Sequence, residues 1–145
     1  MKHFLPLAAA ALLAACSAEP AKPDIQISDV WARAVPQGQT NGAAYMTIAN
    51  KGGEADKLVS IKASVAKNSG LHETKVTNGV SSMAERASVE VPAGGEVKLA
   101  PGGLHLMMMD LSVPLSPGDR FFVEAQFEKS GLKSVSGKVE AAGAR

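Results

Sequence analysis

From Ile25 onward the chain reads as short, often alternating segments separated by turn residues. Pro36-Gln37-Gly38, Lys51-Gly52-Gly53, Asn78-Gly79, Ala93-Gly94-Gly95, Pro101-Gly102-Gly103 and Pro117-Gly118-Asp119 recur along its length. Glycine supplies positive φ and proline fixes φ near −65°, so such clusters reverse the chain. The intervening segments often alternate apolar and polar residues, and none carries a long 3.6-residue period. Strands are predicted at Ile25–Val35, Ala43–Asn50, Leu58–Ala63, Leu71–Thr77, Val80–Ala87, Ser88–Val91, Glu96–Leu99, Leu104–Leu111, Phe121–Glu128 and Ser134–Val139. A helical turn competes with strand only at Ala84-Glu85-Arg86-Ala87. Eight to ten short strands at this spacing predict an all-β sandwich. The domain is expected to span 25–140, with Ala141–Arg145 an unstructured tail.

What precedes the domain reads as an address. Met1-Lys2-His3 is a short basic start, and Phe4–Ala15 is an apolar run too short to cross a bilayer, which takes about 20 residues. Residues 1–15 are therefore predicted to be a signal peptide. The run ends Leu13-Ala14-Ala15-Cys16, which matches a bacterial lipobox with lipid on the Cys16 sulfur. An ordinary Ala-x-Ala cleavage site with an incidental cysteine is the alternative. Residues 16–24 are predicted to be the lipidated cysteine and a short polar tether, giving a periplasmic, membrane-anchored lipoprotein.

Charge and composition exclude several functions. The 15 Lys and Arg balance 14 Asp and Glu, so no electrostatic footprint for nucleic acid exists. A single Cys excludes a disulfide framework and a Cys-cluster zinc site. No Gly-x-Ser-x-Gly, phosphate loop or His-Glu-x-x-His is present, so no enzyme activity is expected. Blue-copper electron transfer needs a Cys thiolate beside two His, and the one Cys lies in the lipobox.

The methionines are the informative residues. Asn78-Gly79 is a strong signal for a two-residue hairpin loop. That loop pairs Thr77 with Val80 and Thr74 with Met83, which puts His72, Thr74, Met83 and Glu85 on one face. Along Leu104–Leu111, alternation puts His105, Met107 and Met109 on one face and Leu104, Leu106 and Met108 on the other. The candidate ligands are therefore His72, Met83, His105 and Met107. Two imidazoles and two neutral thioethers suit Cu(I), whereas zinc prefers thiolate, imidazole or carboxylate and calcium prefers oxygen. Met109 shares the face and is assigned to packing. Met46 and Met108 are assigned to the core, and so is Trp31, which a cation–π contact to the metal would otherwise employ.

The spacing His72–x10–Met83–x21–His105–x–Met107 resembles the signature of the periplasmic copper chaperone family PCu(A)C. The similarity extends over most of residues 28–126. It includes Val30-Trp31-Ala32-Arg33-Ala34, Gly42-Ala43-Ala44-Tyr45-Met46, Leu71-His72-Glu73, Val91-Pro92-Ala93-Gly94-Gly95 and Pro101-Gly102-Gly103-Leu104-His105-Leu106-Met107. The resemblance implies a cupredoxin-like Greek-key β-sandwich. It also implies Cu(I) on those four residues and delivery towards a copper-acceptor protein such as an oxidase copper domain. Two departures stand out. Thr74 occupies a place that is often Met, and the tail Ala-Ala-Gly-Ala-Arg lacks the Met and His thought to hold Cu(II) in some members, so one Cu(I) site and no strong Cu(II) site are expected. A monomer is expected. The competing readings are a non-catalytic lipoprotein that binds a protein partner through a sheet edge, and copper storage or tolerance without dedicated delivery.

Overall fold

The computed structural model describes residues 19–145. The expected signal peptide and Cys16 lie outside the described residues. Ten strands follow one another: β1 (Ile25–Arg33), β2 (Gly42–Asn50), β3 (Asp56–Ala63), β4 (Ala66–Thr77), β5 (Val80–Glu85), β6 (Val89–Val91), β7 (Glu96–Leu99), β8 (Leu104–Leu111), β9 (Arg120–Phe127) and β10 (Gly131–Glu140). No helix occurs among the described residues, and Ala84 and Glu85 continue β5 rather than turning helically.

The hydrogen-bonded path runs β5-β4-β8-β2-β1-β10-β9-β3-β6, with β7 also paired to β2. Neighbours distant in sequence, such as β4 with β8 and β3 with β9, make it a Greek-key arrangement. The β1–β10 pair is parallel and the other strand pairs are antiparallel. The path curls so that one face encloses a single core. β9 shows the pattern that drives this: Phe121, Val123, Ala125 and Phe127 point inward and are buried, while the residues between them face outward. They meet Leu58, Ile61, Ala32, Ala44, Met46, Ile48, Leu71, Leu106, Met108 and Val139 from the other strands. Met46 and Met108 thus sit in the core, as expected.

Two buried polar side chains fasten loops to this body. The Asn50 side chain accepts from the amides of Asp24 and Gly52 and donates to the carbonyls of Glu54 and Val91. Lys22–Asp24, part of the tether by sequence, thereby lie against the 50–53 loop, where Gly53 also donates to the Lys22 carbonyl. The Asp56 carboxylate accepts from the amides of Lys57, Lys129 and Ser130 and from the Ser130 hydroxyl, which pins the β9–β10 turn.

The far end of the chain carries no strand beyond Glu140, yet its last residue is engaged. The Arg145 guanidinium bonds Asp29 and Glu140 and lies 5.0 Å from the centroid of the Trp31 ring. Asp29 reaches it from a bulge in β1, with φ of 51°. Trp31 is buried, but against Tyr45 at 4.6 Å between ring centroids and outside the central cluster.

Candidate metal centre

The site is built from β5, β4 and β8, three neighbours at one end of the path. The Asn78-Gly79 hairpin has the expected two-residue loop, with φ of 51° and 77°. Both central residues are in the left-handed region, as a type I′ turn requires. The register follows: Thr77 pairs with Val80, Thr74 with Met83 and His72 with Glu85.

The pairing of β4 with β8 adds what a hairpin alone cannot. His72 stands directly opposite His105, Leu71 opposite Leu106, and Gly70 opposite Met107. Leu71, Leu106 and Met108 are buried in the core, so alternation turns His72, His105 and Met107 to the opposite face. Met83 joins that face from β5 as a diagonal neighbour of His72. The strands therefore bring all four predicted residues to one patch. The two imidazole centroids are 6.1 Å apart. An ion about 2 Å from one nitrogen of each ring fits between them once both nitrogens face it.

Local contacts prepare each side chain differently. His105 is only 4% exposed, and its Nδ1 is 2.9 Å from the Gly103 carbonyl oxygen. Nδ1–H donates to that carbonyl, which leaves the Nε2 lone pair free for a ligand. The same carbonyl accepts from the Thr74 amide, tying β4 to the turn before β8. Met83 is the opposite case, 54% exposed on an edge strand whose every residue is exposed. His72 and Met107 are half-buried between these extremes. Met109 shares the face one step further along, opposite Asn68.

Gly70 and Glu85 border the same face beside His72. A Cβ at Gly70 would lie 3.5 Å from His72 Nε2 and 3.8 Å from Glu85 Oε1. His72 and Glu85 therefore both lean over the bare backbone of Gly70. A glycine inside a strand is the signal that could have marked it. On the other face, Arg86 pairs with Glu73 at 2.6 Å and its amide donates to the Leu71 carbonyl, closing the base of the hairpin. Among the described residues, no three His, Cys, Asp or Glu side chains are already gathered to hold a metal.

Residues 25–139 match the model of a family described as "Putative lipoprotein LpqE-like". The chain belongs to the LpqE-like family. A relative, "Putative lipoprotein Lxx21020" of Leifsonia xyli subsp. xyli, is 34% identical over 113 residues, which cover 77% of this chain and 67% of that protein. Among solved structures, the copper-bound PCuAC domain from PmoF2 matches with a TM-score of 0.68 at 26% identity, covering 81% of this chain and 92% of that one. The solution structure of CuI-DR1885 from Deinococcus radiodurans matches with a TM-score of 0.57 at 27% identity, covering 88% and 83%. The fold is therefore the cupredoxin-like sandwich of PCu(A)C domains, in agreement with the resemblance seen in the sequence.

Proposed function

We propose that this protein is an extracytoplasmic copper chaperone that holds Cu(I) with His72, Met83, His105 and Met107 and passes it to a copper-acceptor protein, such as the copper domain of a respiratory oxidase. The observation that carries this reading is the register that sets His72 opposite His105 with both methionines on the same face. The likeness to a copper-bound PCuAC domain and to CuI-DR1885 supports the choice of metal. Neutral thioethers suit cuprous ion and need no deprotonation to bind it.

The burial gradient gives a route for transfer. His105 is fixed within the sheet by its bond to Gly103, whereas Met83 is exposed at the sheet edge. An acceptor donor group displaces Met83 first, forming an intermediate with ligands from both proteins, and the buried imidazole lets go last. Lipidation at Cys16 would hold the domain at a membrane surface, in keeping with a relative named as a lipoprotein. The chemistry is carriage and not catalysis.

The reading is tested by Cu(I) competition against a chromogenic chelator, using wild type, His72→Ala and Met83→Ala, followed by mixing the loaded protein with an apo oxidase copper domain. One Cu(I) per chain, weakened in both variants and transferred to the acceptor, is expected. Equal chelator competition by all three proteins refutes the site, and copper that stays put refutes delivery.

A further inference from the structure

Glu85 is the direct cross-strand partner of His72, which is itself the direct partner of His105, so the three form one row across β5, β4 and β8. The Glu85 carboxylate and the His72 Nε2 both lie over Gly70, each within 4 Å of the point a Cβ there would occupy. The neighbouring cation does not occupy that carboxylate, since Arg86 is turned to Glu73 on the other face. No role in holding Cu(I) falls to Glu85, because a carboxylate is a hard oxygen donor and the thioethers already supply the soft ones.

We propose that this row is a second donor set, His72, His105 and Glu85, which holds Cu(II) on the face where the two methionines hold Cu(I). The inference rests on the copper reading above and extends it to the oxidised ion. Cu(II) favours imidazole and carboxylate in a tetragonal arrangement, whereas thioethers favour Cu(I). The two imidazoles serve both ions, and the remaining positions pass from sulfur to oxygen. Among the described residues the three side chains are not gathered around one point. Directly opposed residues have Cβ atoms about 5 Å apart, so rotation about side-chain bonds closes the set without moving the strands.

The test titrates wild type and Glu85→Gln with Cu(II), reading affinity by competition and donors by electron paramagnetic resonance. Cu(I) chelator competition is run in parallel. Glu85 is exposed, so the amide variant is expected to fold as wild type does. The expected result is a mixed nitrogen and oxygen spectrum in wild type and a Cu(II) affinity weakened about tenfold or more in Glu85→Gln, with Cu(I) affinity changed less than about threefold. Unchanged Cu(II) affinity and spectrum in Glu85→Gln overturn the proposal while leaving the Cu(I) reading intact. Failure of wild type to retain Cu(I) overturns the reading on which it rests.

Discussion

Exchanging two adjacent residues, Ser82→Met together with Met83→Ser, moves one thioether and changes little else. Composition, strand length and the Asn78-Gly79 turn are all preserved. Both positions are exposed on β5, but Met83 pairs with Thr74 whereas Ser82 pairs with Lys75. Successive side chains of a strand leave on opposite faces, so the sulfur is carried on the order of 10 Å, from the His72 face to the Lys75 face. Metal–sulfur bonds are about 2.3 Å long, and no rotamer spans that gap. The cost to folding is small, about 0.5 kcal/mol or less for exposed substitutions away from special contacts. That corresponds to a melting shift of roughly 2 °C. Loss of one ligand is expected to lower Cu(I) affinity by at least about tenfold, or about 1.4 kcal/mol. The assay is Cu(I) competition against a chromogenic chelator, with thermal melts of the metal-free proteins as the folding control. A swapped protein that melts normally and still competes as wild type does would show that Met83 is not a ligand and that the register argument is wrong.

Four further outcomes follow from the packing. Mild peroxide treatment should convert Met83 to its sulfoxide before Met46 or Met108, which are 2% and 0% exposed against 54%, and peptide mass spectrometry should show Cu(I) protecting Met83. Asp56→Ala should cost about 3 kcal/mol by chemical denaturation, because it strands the amide and hydroxyl donors that converge on one buried carboxylate. Burial pushes the Asp56 carboxyl up, but the Ser130 hydroxyl and the amides of Lys129, Lys57 and Ser130 outweigh it and hold it below its ordinary 3.8. Its contribution to stability is therefore complete above about 3.8 and lost as pH falls below that through the depressed folded-state value, so wild type should lose more stability between pH 5 and pH 2 than Asp56→Asn. Gly137→Ala should destabilise the fold by about 1–3 kcal/mol, since a Cβ there would lie 2.5 Å from Phe121 Cζ and 2.8 Å from Val30 Cγ1, with Phe121 fully buried; unchanged melting would mean that the β10–β9 packing is looser than described.

Local chemistry was readable and distant pairing was not. Asn78-Gly79 encodes its own turn, its register and therefore the face shared by His72 and Met83. Glu96–Leu99 and Leu104–Leu111 are the strands that were expected, because turn residues bound them on both sides. β4 begins earlier than Leu71, at Ala66. Lys67-Asn68-Ser69-Gly70 has the composition of a loop, and only pairing with β8 makes it a strand. That pairing joins residues more than thirty positions apart, which no local pattern specifies, so His72 opposite His105 had to come from the fold. Asp56 and Asn50 were missed for a related reason. A polar residue near a turn looks exposed until one sees how many amides have gathered around it. Trp31 is buried as expected, packed on Tyr45 beneath Arg145 rather than within the central cluster.

The strand from Leu104 to Leu111 belongs to two environments at once, with Leu106 and Met108 in the sealed interior and His105 and Met107 on the reverse. A substitution that repacks Leu106 or Met108 would therefore also displace His105 and Met107, because one backbone carries both pairs. Thermal stability and the positions of those two outward side chains are thus set by the same strand.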